Sequence, residues 1–347
     1  MAKGMRVKLN YEVSRDPDTG VEVTRLTPPE VTCHRNYFYQ KCFFNDGSHL
    51  LFAGEFDGHW NYYLLDLKNA EAVQLTEGAG DNTFGGFLSP DDKSLYYVKN
   101  DRTLLEVDLQ TLAEREVYRV PEEWVGYGTW VANSDCTKLV GIEIARRDWT
   151  PLNDWKIFHD FFHKGPHDLV DARMWLVNED GSNVRKVKTH AEGESCTHEF
   201  WVPDGSALIY VSYLKGQQGR TISRFNPDTG VNEAVMNMPA CSHLMSNVDG
   251  TLLVGDGSGT PVDVKDTGGY TIDNDPYLYA FDVAKKACYR IARHDTSWAT
   301  VANSRQVTHP HPSFTPDEKA VLYSSDKDGK PALYIAKLPE QPEMLHV

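Results

Sequence analysis

Several signatures are missing from this 347-residue chain, and each absence removes a class of protein. No run approaches the ~18 apolar residues that a membrane-crossing helix needs. The opening Met1-Ala-Lys-Gly-Met-Arg-Val-Lys has no apolar core of the kind a secretory signal carries, so a cytoplasmic protein is expected. The six cysteines (Cys33, Cys42, Cys136, Cys196, Cys241, Cys288) are scattered and form no CxxC, so reduced thiols are expected rather than a disulfide frame. There is no GxSxG, no GxGxxG and no P-loop, and Gly257-Ser258-Gly259 lacks the strand-to-helix setting such motifs require. Positive charge is scarce: 35 Lys and Arg stand against 50 Asp and Glu, a formal net charge of −15. That field opposes nucleic acid and anionic membranes. An acidic small molecule would bind only where arginines or a cation reverse the sign locally.

What is present is a repeat. A short polar turn bearing aspartate precedes an apolar strand pattern at Asp46, Asp91, Asp135, Asp204, Asp249 and Asp317, with intervals of 45, 44, 69, 45 and 68 residues. Three intervals agree within one residue, and two carry about 24 extra. A period of ~40–50 residues with strand patterning is that of a four-stranded β-propeller blade. A second apolar pattern follows most turns, as in Tyr62–Leu67, Leu104–Leu109, Met174–Val177, Tyr277–Asp282 and Ala332–Ile335, and is assigned to the third strand of each blade. The expected fold is all-β, a single six-bladed propeller over 1–347. The sixth repeat lacks a fourth strand, which the N-terminal segment near 21–27 could supply to close the ring. A β-sandwich also has regular strands but does not explain the period. The insertions, Arg146 to Leu169 and Asp256 to Asp275, are expected to hold a short helix and a long loop respectively.

Histidines fall at one register of this repeat. His198, His243 and His311 each lie six residues before the marker aspartate of the fourth, fifth and sixth repeats, and His309 lies two residues before His311. Equivalent positions of a propeller share one height around its axis. On a strand, residues i and i+2 share a face ~6–7 Å apart, and Pro310 marks an irregular or edge position. Four convergent imidazoles suit a transition metal, and an open coordination position would polarise a substrate oxygen. The plain alternative is a set of satisfied polar residues on inner strands. For His34, His159, His163 and His167 a structural or solvent role is expected.

The stretches Cys33-His-Arg-Asn-Tyr-Phe-Tyr-Gln-Lys, Gly78-Ala-Gly-Asp-Asn-Thr-Phe-Gly-Gly-Phe, Gly165-Pro-His-Asp-Leu-Val-Asp-Ala-Arg-Met-Trp, Glu194-Ser-Cys-Thr-His-Glu-Phe-Trp, Pro239-Ala-Cys-Ser-His and Arg305-Gln-Val-Thr-His-Pro-His-Pro resemble the oligogalacturonate lyases, polysaccharide lyase family 22. The resemblance covers nearly the whole chain. It implies a cytoplasmic enzyme of pectin degradation that cleaves digalacturonate and its unsaturated form by β-elimination to 5-keto-4-deoxyuronate. It implies a manganese-type divalent ion held by His243, Gln306, His309 and His311. His198 matches the family's base, and Arg173 and Arg305 match arginines beside the substrate. Gln306 comes from the resemblance alone, since its parity on a regular strand is opposite to that of His309 and His311. The resemblance also implies seven blades, with one more repeat between the Trp155 region and Gly165, so this chain is expected to be one repeat short. Three alternatives stay open: a non-catalytic propeller of the TolB or WD type that binds a partner, an inactive blade-deleted variant of the lyase, and a metal-dependent hydrolase or lactonase, which would favour carboxylate ligands.

Overall fold

The computed structural model describes residues 2–81, 85–126, 130–132, 139–140, 143–145, 173–176, 185–189, 194–214, 220–226, 228–238, 241–257, 261–263, 270–272, 275–299, 301 and 308–345. Among these residues there is no helix, and so none long and apolar enough to cross a membrane. The chain divides into two compact units, 1–153 with 292–338, and 154–291 with 339–347.

The aspartate turns form as their chemistry dictates. Asp46 accepts the Ser48 N–H at 2.9 Å, Asp204 that of Ser206 at 2.8 Å, and Asp249 that of Thr251 at 3.1 Å. Each is an Asx turn, in which a short carboxylate replaces a backbone acceptor. The next residue is left-handed in every case: Gly47 (φ 71°), Gly205 (74°) and Gly250 (70°), but also Asp92 (62°) and Glu318 (57°). Glycine adopts this conformation without a Cβ clash; the two acidic residues do not. Asp92 is offset by its carboxylate, which accepts the Asn45 N–H at 2.8 Å and pairs with Lys41.

After each described turn the apolar run becomes the second strand of an antiparallel sheet. In the first unit, Cys33–His34, His49–Gly54, Asn61–Asp66 and Glu71–Gln74 lie side by side, with Arg6–Lys8 added outside. Phe87–Leu88, Ser94–Lys99, Thr103–Asp108 and Glu114–Arg119 form the next sheet. Ser313–Phe314, Ala320–Ser325 and Ala332–Lys337 form another, continued by Glu22–Arg25 and Glu12–Arg15, with Val23 opposite Ala336. Leu50, Leu51 and Phe52 are consecutive and all fully buried, so both faces of that sheet are covered. In the second unit, Glu194–Trp201, Leu208–Leu214, Arg220–Phe225 and Asn232–Met238 form one sheet, and Cys241–Ser246, Leu252–Gly257, Tyr277–Asp282 and Ala287–Arg293, the last up to Ile291, another.

These meanders are propeller blades, and the fold is the expected all-β propeller. The blade count differs from expectation. Five sheets of four or more strands are described where the repeat count gives six and the resemblance seven. The third marker, Asp135, lies outside the described residues, and that stretch is represented only by strand pairs such as Trp124–Gly126 with Glu143–Ala145 and Arg173–Leu176 with Arg185–Thr189. The second insertion also differs from expectation. Asp256 and Gly257 belong to a strand, and Pro261–Asp263 pairs with Tyr270–Ile272 as a short ribbon, because Val262, Tyr270 and Ile272 carry strand propensity inside the Gly- and Asp-rich segment. The first insertion, expected to hold a short helix, lies outside the described residues. Cys33, Cys42, Cys241 and Cys288 are buried.

Candidate metal and substrate site

Two of the three register histidines, His198 and His243, stand in bulges. In the strand Glu194–Trp201, Thr197 faces Val211 and Phe200 faces Ile209, so His198 and Glu199 together oppose Tyr210. In Cys241–Ser246, Ser242 faces Asp256 and Met245 faces Val254, so His243 and Leu244 together oppose Gly255. An extra residue on one strand re-aims its side chain out of the regular alternation, which is why bulges recur beside functional sites. His243 is left-handed at φ 48°, a conformation that costs a non-glycine residue ~1–3 kcal/mol.

His243 is held by one acid. Its Nδ1 lies 2.9 and 3.0 Å from the two carboxylate oxygens of Asp256, which is wholly buried. Nδ1 therefore carries the proton and donates it, leaving Nε2 as the ring's ligand atom. A carboxylate behind an imidazole is the usual support of a metal-ligating histidine. The sequence reading placed Asp256 at the start of a loop and missed this role. The available signal was an acid closing the apolar strand Leu252-Leu-Val-Gly-Asp-Gly.

His309 and His311 lie in the other unit and are reached differently. Residues 308–312 are not in a strand, since Pro310 and Pro312 have no N–H to give a ladder. The two histidines therefore do not meet as i, i+2 neighbours on a strand face. Their ring centroids are 4.7 Å apart at an interplanar angle of 49°. His311 also has φ 48°, and its ring is bordered by Tyr37 at 4.9 Å, Phe38 at 5.7 Å and His34 at 6.0 Å. Trp298, itself left-handed at φ 57°, stands edge-on to His309 at 5.2 Å. Its loop is pinned by Asp326, which accepts the Ser297 N–H at 2.8 Å and the Thr296 hydroxyl at 3.2 Å.

Beneath this strap runs Cys33-His34-Arg35-Asn36. His34 donates Nδ1–H to the Arg35 carbonyl at 2.8 Å, and burial pulls its pKa down to about 3, so it is neutral. Arg35 is fully buried, and among the described residues no carboxylate accepts from it; burial lowers its pKa from the ordinary guanidinium value. Its Nη1 donates to the His311 carbonyl and to the Ser313 hydroxyl, each at 2.6 Å.

Arg173 begins the strand Arg173–Leu176, where it pairs with Thr189. Arg305 and Gln306 lie outside the described residues. The donor chemistry of the described histidines, imidazoles oriented by a carboxylate or a rigid strap, fits a borderline transition ion better than calcium or magnesium.

An all-β propeller with bulged, buttressed histidines defines a class, the propeller enzymes, and comparison with known proteins narrows it. A family profile described as oligogalacturonate lyase matches residues 1–163 and 160–342. The chain is 60% identical over 384 residues to an oligogalacturonide lyase of Pectobacterium atrosepticum, covering 98% of this chain and 99% of that one. It is 59% identical, with the same coverage, to an oligogalacturonate lyase of Dickeya dadantii. Among solved structures, an oligogalacturonate lyase in complex with manganese superposes with a TM-score of 0.89 at 59% identity, over 98% of this chain and 99% of that one. An oligogalacturonate lyase from Vibrio parahaemolyticus gives 0.88 at 55%, with the same coverage. The chain belongs to the oligogalacturonate lyase family and is an enzyme of that type. It is also one repeat short. Ninety-eight per cent of 347 residues is about 340, so an alignment of 384 leaves a shortfall of about 44, the length of one repeat. The two profile matches meet at 160–163, between Trp155 and Gly165, where the sequence reading put the gap.

Proposed function

We propose that the enzyme cleaves short oligogalacturonates, digalacturonate and unsaturated digalacturonate, by β-elimination to 5-keto-4-deoxyuronate, in the cytoplasm, as a step of pectin degradation. The substrate is a small acidic oligosaccharide, and neither nucleic acid nor membrane is a partner. The chain works as one propeller domain closed by its N-terminal strand near 21–27. His243, His309 and His311, with Gln306, form the ligand set for one divalent ion, most simply Mn2+. The observation that carries this reading is the buried Asp256 carboxylate on His243 Nδ1, a contact that orients a ligand and has no use in a docking platform.

A divalent ion bound there supplies Lewis acidity, offsetting the charge that grows on a uronate carboxylate as its C5 proton leaves. Arg173 and Arg305 hold the substrate carboxylates through paired N–H donors. His198 accepts the C5 proton. The C5–H electrons form the C4–C5 double bond, and the C4–O pair leaves with the departing sugar oxygen, which takes a proton from solvent to become a hydroxyl. General-base catalysis of this kind is worth ~10²–10⁴-fold.

Incubation of the purified chain with digalacturonate, with and without chelator, tests the reading. A product of unsaturated or keto-deoxyuronate mass, one water lighter than galacturonate, is expected, and only without chelator. Galacturonate as the sole product would make the enzyme a hydrolase. A second reading, a variant whose missing repeat abolishes turnover, rests on the 44-residue shortfall and predicts bound metal without product.

A further inference from the structure

The strap Thr308-His-Pro-His-Pro312, just ahead of the strand Ser313–Phe314, presents two of the proposed ligands without a strand ladder to hold it. Its two prolines lack N–H groups, and His311 sits in a left-handed conformation that a histidine does not adopt by preference. Something outside the strap fixes it. The Pro310 carbonyl accepts the Ser324 N–H at 3.0 Å. The His311 carbonyl accepts Arg35 Nη1 at 2.6 Å, and the same nitrogen reaches Ser313 Oγ at 2.6 Å. Arg35 is in turn immobile. Its own N–H donates to Ser324 Oγ at 3.2 Å, its Nη2 lies 3.4 Å from Asn36 Oδ1, and the Asn36 amide is tied to the Gln40 and Lys41 carbonyls at 3.1 and 3.2 Å.

We propose that Arg35 is a positioning residue for metal binding: a buried guanidinium that grips the strap on both sides of Pro312 and so fixes the direction of the His311 imidazole. Arg35 has no exposed surface, so it does not touch substrate, and its side-chain partners are a backbone carbonyl, a hydroxyl, the Asn36 amide oxygen and the Cys42 sulfur rather than a carboxylate. A planar fork with fixed donor directions suits this grip; a lysine offers the charge without the geometry. The inference rests on the metal reading above.

The test is Mn2+ affinity, measured as free Mn2+ by electron paramagnetic resonance on the full chain, alongside the far-ultraviolet circular dichroism melt. Loss of an outer support typically weakens metal binding ~10–100-fold, so Arg35→Met is expected to bind Mn2+ at least about tenfold more weakly than the unaltered chain. Ser313→Ala, which removes one acceptor and little else, is expected to weaken binding by about two- to fivefold, and Arg35→Lys to fall between the two. A guanidinium with a merely structural role would lower the melting temperature and leave Mn2+ affinity alone. That outcome, with affinity within twofold of the unaltered chain, overturns the proposal while the metal reading stands. If Arg35→Met does not fold, unchanged affinity in Ser313→Ala overturns it instead. An unaltered chain that takes up no Mn2+ removes the metal reading and this proposal with it.

Discussion

His243 and His311 occupy the same place in two repeats and have the same backbone angle, yet the protein supports them in different ways. His243 belongs to a strand. The bulge is bounded by a regular ladder, and the neighbouring strand supplies Asp256 to grip the ring itself. His311 belongs to a proline-bracketed strap, where Pro310 and Pro312 have no N–H to give a ladder and the neighbouring strand reaches only the Pro310 carbonyl. Its support comes from Arg35, 276 residues away in sequence, and grips the main chain. The repeat sets the backbone conformation of the ligand, and the local hydrogen-bonding environment decides whether ring or carbonyl is held. A carboxylate on a ring nitrogen fixes the tautomer and adds basicity. A guanidinium on a carbonyl fixes direction alone.

The severest challenge to this comparison is removal of the rings. His243→Ala and His311→Ala are each expected to lower Mn2+ affinity more than ~100-fold, beyond the effect of losing an outer support, and to abolish turnover; equilibrium dialysis with metal analysis checks both. If only one of the two variants loses metal, the pair are not equivalent ligands. His198→Ala separates the third member of the register from the other two. Its turnover is expected to fall ~10²–10⁴-fold with metal stoichiometry unchanged, and loss of metal in this variant would reassign His198 as a ligand. Asp256→Asn addresses the ring-side support. Metal affinity is expected to weaken ~10–100-fold, with little change in circular dichroism; an unchanged affinity would leave the contrast between ring and carbonyl support without consequence.

A third buried group sharpens the comparison at the smallest scale. Asp81 has no histidine. It accepts the Thr76 hydroxyl and lies 3.5 Å from Lys99, and burial raises its pKa from 3.8 to about 7. The folded chain therefore holds a proton there that the unfolded chain releases near pH 4. This contribution to stability is full below pH 4 and is lost as the pH rises to about 7. Asp81→Asn is expected to remove that slope and to raise stability at pH 8 by ~1–3 kcal/mol, read from urea melts at pH 4.5 and 8.

Much of this was legible in the chain. The aspartate turns located the second strands of five sheets, and the apolar runs after them located the third in four of these; Arg220–Phe225 was not marked, and Met174–Val177 falls in a two-stranded pair. The offset of six residues located His198, His243 and His311 because the innermost segment of each repeat keeps its place relative to the turn, as a bulge at His198 and His243 and as a proline-bracketed strap at His311. Asp256 was not legible, because its partner is 13 residues away across a ladder whose register no local pattern displays. Arg35 was quoted within a motif but given no role, because an arginine in an apolar stretch reveals nothing of which carbonyl it meets. The ribbon Pro261–Asp263 with Tyr270–Ile272 was read as loop because glycine and aspartate outnumbered its few strand-forming residues.

The sequence by itself determined the all-β architecture, the spacing of its blades and the column in which the histidines stand, since all three follow from short-range periodicity and turn chemistry. Tertiary structure alone decided how each histidine is held. A buried carboxylate or guanidinium is stable only where folding brings a polar partner within hydrogen-bond reach, and that partner is fixed by packing between strands, not by spacing along the chain.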